Sequence, residues 1–126
     1  MVWELAFAVA VGGALGSVAR YFSSFLLEGF FAIPSPWDIF TVNSLGSFLI
    51  GFGGAYFLRA LHSTHFWQIF WLTGFLGGYT TFSSFSLGIF RMAAKSPLEG
   101  FFYASISVLV GLFACFLGQK LGNRIF

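Results

Sequence analysis

Four long apolar stretches organise the chain. The first runs from about Leu5 to Leu27 and contains Arg20; the second, Ile39 to Leu58, carries no charge. The third, Phe66 to Phe90, is also free of charge, and the fourth runs from Gly100 to Gln119. A helix that crosses a bilayer needs roughly 20 apolar residues. The pattern therefore predicts four spans, an all-α membrane protein and a single domain over residues 1–126. The connections "EGFFAIPSPWD", "RALHSTH" and "RMAAKSPLE" are too short to hold a soluble domain.

Composition sharpens this. The chain is 58% hydrophobic and 8% charged, whereas soluble domains run near a quarter charged. A net charge of +2 with no Lys/Arg cluster argues against nucleic acid as a partner. Cys115 is the one cysteine, which excludes an internal disulfide. The first charge is Glu4, and the apolar run after it is longer than a signal h-region, so the first helix is expected to remain uncleaved.

Four spans put both termini on one side. That side holds Arg59, Lys120 and Arg124; the other holds Arg20, Arg91 and Lys95. Cytoplasmic loops normally carry the excess of Lys and Arg. Three against three selects no orientation. Either one boundary charge dominates, or the chain inserts both ways and pairs antiparallel. The second arrangement would build an inverted repeat from two identical chains.

The third stretch contains "GFLGGYTTFSSFSLG", Gly74 to Gly88, with six hydroxyls: Tyr79, Thr80, Thr81, Ser83, Ser84 and Ser86. Gly77 and Gly78 weaken a helix by about 1 kcal/mol each relative to Ala. They are read in two ways. They let another helix approach closely, as Gly74-x-x-x-Gly78, Gly12-x-x-x-Gly16 and Gly118-x-x-x-Gly122 suggest. Or they mark a break, tolerated in hydrocarbon only where protein, water or an ion takes the freed backbone groups. Thr80 and Thr81 add oxygens at the same depth, enough for a hard monovalent cation on a symmetry axis.

Phe82 and Phe85 share a helical face beyond the glycines. An aromatic ring has a positive edge, which suits an anion in a place too apolar for a fixed cation. The spacing itself is weak, since it recurs at Phe22/Phe25 and Phe113/Phe116 in a chain with 20 phenylalanines. Phe22/Phe25 encloses Ser23 and Ser24, but the 82/85 pair alone is both interleaved with hydroxyls and placed just after the glycine pair. Asn43 in "TVNSLGSFLIG" offers two N–H donors and one acceptor, as interhelical glue or as a ligand. The fourth span adds Tyr103, Ser105, Ser107 and Cys115. Arg20 either snorkels to the interface or forms a cationic vestibule. His62 and His65 lack acidic partners and read as solvated loop rather than as a zinc site.

Together, "GGALGSVARYF", "TVNSLGSFLIG" and "TGFLGGYTTFSSFS" resemble the CrcB/Fluc family of fluoride channels, and the likeness covers most of the chain. The resemblance implies an antiparallel, dual-topology homodimer in the inner cell membrane that passively exports fluoride, with four helices per chain and the third one broken. It implies a structural sodium ion at the centre, held by backbone carbonyls of Gly77 and Thr80. It makes Phe82 and Phe85 the rings whose edges face fluoride, with Asn43, Thr81, Ser83 and Ser84 as hydrogen-bonding groups along the path. Ser107 and Cys115 would continue the path in the fourth span, and Arg20 matches the family's first-span arginine. The chain departs where many members have a glutamate three residues after the second phenylalanine, because this position is Gly88.

Two rivals remain on the residues alone. A small dual-topology multidrug exporter would need a titratable carboxylate within a span. The acids Glu4, Glu28, Asp38 and Glu99 all fall at span ends, which also argues against an enzyme. A non-transporting membrane assembly protein would use every polar group as packing glue.

Overall fold

The computed structural model describes residues 1–59 and 65–126, which are helical with short connections. Helix α1 spans Val2–Gly29, α2 Trp37–Arg59, and α3 His65–Gln68, which runs into a π-helical segment, Ile69–Leu76. A short α4, Gly77–Tyr79, precedes α5, Phe82–Lys95, and α6, Pro97–Ile125. Three of these, α1, α2 and α6, are long and apolar enough to cross a membrane. Each extends a few residues past the apolar window read from sequence, because backbone bonding continues where side chains turn polar. His65 opens α3, while His62 lies outside the described residues.

The third apolar stretch is not one helix. Thr80 (φ −84°, ψ 155°) and Thr81 (φ −146°, ψ 118°) are extended and separate α4 from α5. The interruption therefore falls beyond the glycine pair, with Gly77 and Gly78 still helical. Gly78 serves the packing role instead. A methyl group there would overlap the Gly13 carbonyl of α1, and one at Gly16 would overlap the Phe75 carbonyl. Small residues on both partners let the α1 backbone and the segment before the break touch. The π-turns sit on this contact, and such turns often mark functional sites.

Helices α2 and α6 pair by the same device: Gly51 faces the Cys115 carbonyl, and Gly118 faces the Phe48 carbonyl. Where α2 begins, Ile39, Phe85 and Tyr103 form a buried cluster with Trp37 against it. The Tyr103 hydroxyl donates to the Pro36 carbonyl at 3.0 Å, which ties the α1–α2 connection to α6. Gly88 fits beneath this tie: a Cβ there would lie 2.7 Å from Pro36 Cβ and 3.2 Å from Tyr103 Cε1. A glutamate at 88 has no room in this arrangement. Asp38, in the first turn of α2, is 2% exposed, and its Oδ1 has no partner. It is a span-end acid, but a buried one. The positive end of the α2 dipole favours a carboxylate there. Phe7, Leu15, Leu109 and Phe113 are each more than half exposed, a surface suited to lipid.

The α1 contact predicts the cost of filling it. Gly29 has open space around it. Gly16→Ala should destabilise the purified protein by about 1–3 kcal/mol through overpacking, while Gly29→Ala should be neutral or slightly stabilising. Thermal denaturation in detergent checks this; equal shifts would remove the contact as a determinant.

Candidate functional site

Breaking a helix strands the carbonyls before the break and the amides after it. Here the affected carbonyls are those of Gly77, Gly78, Tyr79 and Thr80; the affected amides are those of Thr81 to Ser84. Asn43 of α2 answers the middle. Its Oδ1 accepts from the Thr81 amide at 2.8 Å, and its Nδ2 donates to the Thr81 carbonyl at 3.0 Å. One side chain thus satisfies both backbone groups of the most extended residue, for which an amide with a donor and an acceptor is the fitting group. Asn43 keeps one N–H in reserve.

Side chains of α1 answer the next group. The Gly78 carbonyl accepts from Ser17 Oγ and from Arg20 Nε, both at 3.4 Å. Ser23 Oγ and the Tyr79 hydroxyl lie 3.1 Å apart. On the far side, Thr81 is the N-cap of α5, its Oγ1 accepting from the Ser84 amide at 3.2 Å. The Thr81 hydroxyl also bonds with Ser83 Oγ and Ser84 Oγ, each at 3.2 Å. Among the described residues, no donor reaches the carbonyls of Gly77, Tyr79 or Thr80.

Beside the break lies a cavity of about 470 Å³, lined among others by Asn43, Thr80, Thr81, Phe82, Ser107 and Cys115. None of its lining residues is charged. Phe82 is 79% exposed, and Phe85, at 9%, stands behind it in the Tyr103 cluster. Their ring centroids are 5.6 Å apart at an interplanar angle of 57°. The two rings therefore hold different positions, one at the cavity and one in the core.

Most residues singled out from sequence meet here. Asn43, Thr81, Phe82, Ser107 and Cys115 line the cavity, with Thr80 beside them. Ser83 and Ser84 join through the Thr81 hydroxyl. Arg20 is elsewhere, on the α1 side, with one guanidinium N–H on the Gly78 carbonyl. Ser105 lines a separate apolar pocket with Trp37, Met92 and Phe101. Tyr103 is fully buried and anchors Pro36. Sequence reasoning missed Ser47, which lines the cavity opposite Gly111, and Ser17, which bonds Gly78. Ser47 lies one helical turn beyond Asn43, a spacing that marks it.

The hydroxyls divide by use. Thr41, Thr80 and Ser86 bond back to the carbonyls four residues earlier, at Trp37, Leu76 and Phe82, at 2.9–3.0 Å. Such a bond spends the hydroxyl on its own helix. Ser107 Oγ is buried, one helical turn beyond Tyr103, and makes no regular hydrogen bond. What the structure assembles is an uncharged groove with unspent hydrogen-bonding groups beside a helix N-terminus and free carbonyls.

Long apolar helices around such a polar interruption define an integral membrane protein. The chain belongs to a known family of them: the family described as "CrcB-like protein, Camphor Resistance (CrcB)" matches residues 7–119. A relative from Dichelobacter nodosus is 39% identical over 119 residues, covering 94% of this chain and 97% of its own. Relatives from Agrobacterium fabrum and Thermus thermophilus are each 40% identical, covering 94% and 93% of this chain and 95% and 94% of theirs. All three bear the name "Fluoride-specific ion channel FluC".

Asn43→Leu keeps the approximate volume but strands the Thr81 amide and removes one of the two bonds to the Thr81 carbonyl. The expected cost is about 1–3 kcal/mol for the unsatisfied amide. Faster amide exchange confined to the 77–86 segment, with a lowered melting temperature, is the predicted readout. Unchanged exchange there would show that the clamp does not hold the break.

Proposed function

We propose that this protein is a fluoride channel that lets cytoplasmic fluoride leave the cell down its gradient. The observation that carries the reading is the groove beside Thr80–Thr81, uncharged and lined with free hydrogen-bonding groups. The relatives' shared name gives the choice of ion. Fluoride is small and strongly hydrated, so a pore must replace its water with donors. It must also release the ion, and a fixed cation in the path would hold it too tightly.

The available groups suit both demands. The reserve N–H of Asn43, the Ser84 hydroxyl and Ser107 Oγ offer donors in sequence, and the Thr81 and Ser83 hydroxyls, bonded to one another, would have to turn from that bond to meet the ion. The amides of Phe82 and Ser83 add the positive end of the α5 dipole. The Phe82 edge brings weak positive potential to the exposed side, and Phe85 continues the aromatic surface inward. Ser47 and Cys115 extend the lining toward the far end of α6. Arg20 shares its charge with the Gly78 carbonyl and sits beside the path rather than in it, which suits a vestibule.

In this reading the pieces from α3 to α5 cross the inner cell membrane as one broken third span. Four spans with balanced boundary charges then make an antiparallel homodimer. The donorless carbonyls of Gly77 and Thr80 fit a sodium ion shared by two protomers, each supplying the same oxygens. Bound there, sodium would neutralise the carbonyl dipoles that the break exposes and so hold the two interrupted helices together. Residues already fixed by Asn43 and Arg20 would need no rearrangement to receive it.

Liposomes holding purified protein should release fluoride and retain chloride; equal release of both ions would defeat the assignment. Within that assay, Phe82→Ile and Phe85→Ile should each cut fluoride flux severely with the dimer intact on a sizing column. Similar-sized apolar swaps otherwise cost under about 1.5 kcal/mol. Phe22→Ile and Phe113→Ile are the controls: both pairs share the spacing and lie away from the break, Phe22/Phe25 enclosing Ser23 and Ser24 and Phe113/Phe116 enclosing no hydroxyl. If all four behave alike, the rings carry no ion.

For the dimer, cysteines placed at each terminus in a Cys115→Ser background should label from both sides of intact cells. The same dimer should melt at a lower temperature when sodium is replaced by N-methylglucamine. Labelling from one face alone rejects dual topology, and a sodium-independent melt rejects the central ion.

A further inference from the structure

The last two turns of α6 carry a second site, unrelated to the groove. Phe116, Gln119, Lys120, Asn123 and Arg124 line a pocket of about 350 Å³. Two of the five are cations and none is an acid. The Lys120 ammonium stands 5.9 Å from the centroid of the Phe116 ring, a contact that fixes the charge at one height on the helix. Arg59 of α2 donates to the Asn123 carbonyl at 3.0 Å and so covers one of the bare carbonyls at the C-terminus of α6. Neither Lys120 nor Arg124 is in an ion pair; the one among the described residues joins the Met1 ammonium to Glu4.

Below the pocket the same helix face is apolar. Leu109, Phe113, Phe116 and Lys120 follow at spacings of four, three and four, which places them in one stripe. Leu109 is 67% exposed and Phe113 60%. The stripe rises about 16 Å from Leu109 to Lys120 at 1.5 Å per residue, much of the depth of one leaflet. Lys120 directly follows the apolar window of α6, so its charge falls at headgroup level.

We infer that this face of α6 binds an anionic phospholipid, its phosphate between Lys120 and Arg124 with the Gln119 and Asn123 amides as further donors, and an acyl chain along Phe116, Phe113 and Leu109. Basic pockets at helix ends take acidic headgroups on this charge logic. The guanidinium of Arg124 suits a phosphate's paired oxygens. The inference stands apart from the fluoride reading, since it concerns neither the groove nor the break.

Native mass spectrometry of the purified protein tests it, with dioleoyl phosphatidylglycerol and dioleoyl phosphatidylcholine as probes of equal chain length. The anionic lipid should be retained and the zwitterionic one lost at the same concentration. Lys120→Gln with Arg124→Gln should weaken retention of the anionic lipid about thirtyfold, whereas Lys120→Arg with Arg124→Lys should preserve it. Equal retention of the two lipids, or undiminished binding by the double Gln variant, overturns the site. So does inorganic phosphate that binds as strongly as the lipid, which would make the pocket a free-anion site. A double Gln variant that runs as a monomer beside a dimeric parent also overturns it, because the cations would then join two copies.

Discussion

A helix interrupted in a water-poor setting must find partners for its stranded backbone groups, and the rest of this structure depends on that requirement. Thr80 and Thr81 leave the helical path, and three neighbouring elements respond. Helix α2 supplies Asn43, α1 supplies Ser17 and Arg20, and α5 caps itself through Thr81. Each partner acts in its own direction, so the break has one geometry rather than many. An unpaired backbone group in hydrocarbon costs several kcal/mol, more than a typical interhelical hydrogen bond returns. Side chains that close such a gap therefore hold more than their own bond.

Close packing makes the response possible. Ser17 and Arg20 reach the Gly78 carbonyl because α1 lies against the segment ending at Tyr79 with no side chain between. The glycines at 12, 16, 74 and 78 permit that approach. On the opposite flank, Gly51 and Gly118 bring α2 and α6 together and set Asn43 and Ser107 on the same groove. The glycine positions and the polar positions form one design, since the first set fixes the distances over which the second acts.

Much of this was legible in the sequence. Long apolar windows marked α1, α2 and α6, and hydroxyls around Phe82 and Phe85 after the glycine pair marked the polar interruption. Asn43 stood out because amides are costly in apolar segments, and its two readings turn out to be compatible: glue to Thr81 with one N–H to spare. The exact site of the break was not legible. Gly77 and Gly78 have the weakest helix propensity, yet the chain departs at the threonines, because packing on α1 holds the glycines helical. Tertiary contact overrode local preference. Nor could Ser17 and the Pro36–Tyr103 tie be read, for they join residues 61 and 67 positions apart. The burial of Asp38 was missed as well, since its place at a span end says nothing of what packs over it.

The position of Arg20 shows why the groove can stay uncharged. A full charge beside a path attracts anions but also traps them if it faces the ion directly. Here a carbonyl stands against part of the guanidinium, and the contact lies on the α1 face of the interrupted segment. The groove itself offers dipoles only: amide, hydroxyl, ring edge and helix terminus. Dipoles fixed in place by packing require little reorganisation when an ion arrives, which favours fast exchange over tight binding. Gly88 belongs to the same account. With Pro36 and Tyr103 filling the space beside it, position 88 has no room for a carboxylate. Substituting an acid at 88 would first displace the Pro36–Tyr103 tie, so its effect on transport would begin as a packing effect on Phe85 and only then become an electrostatic one.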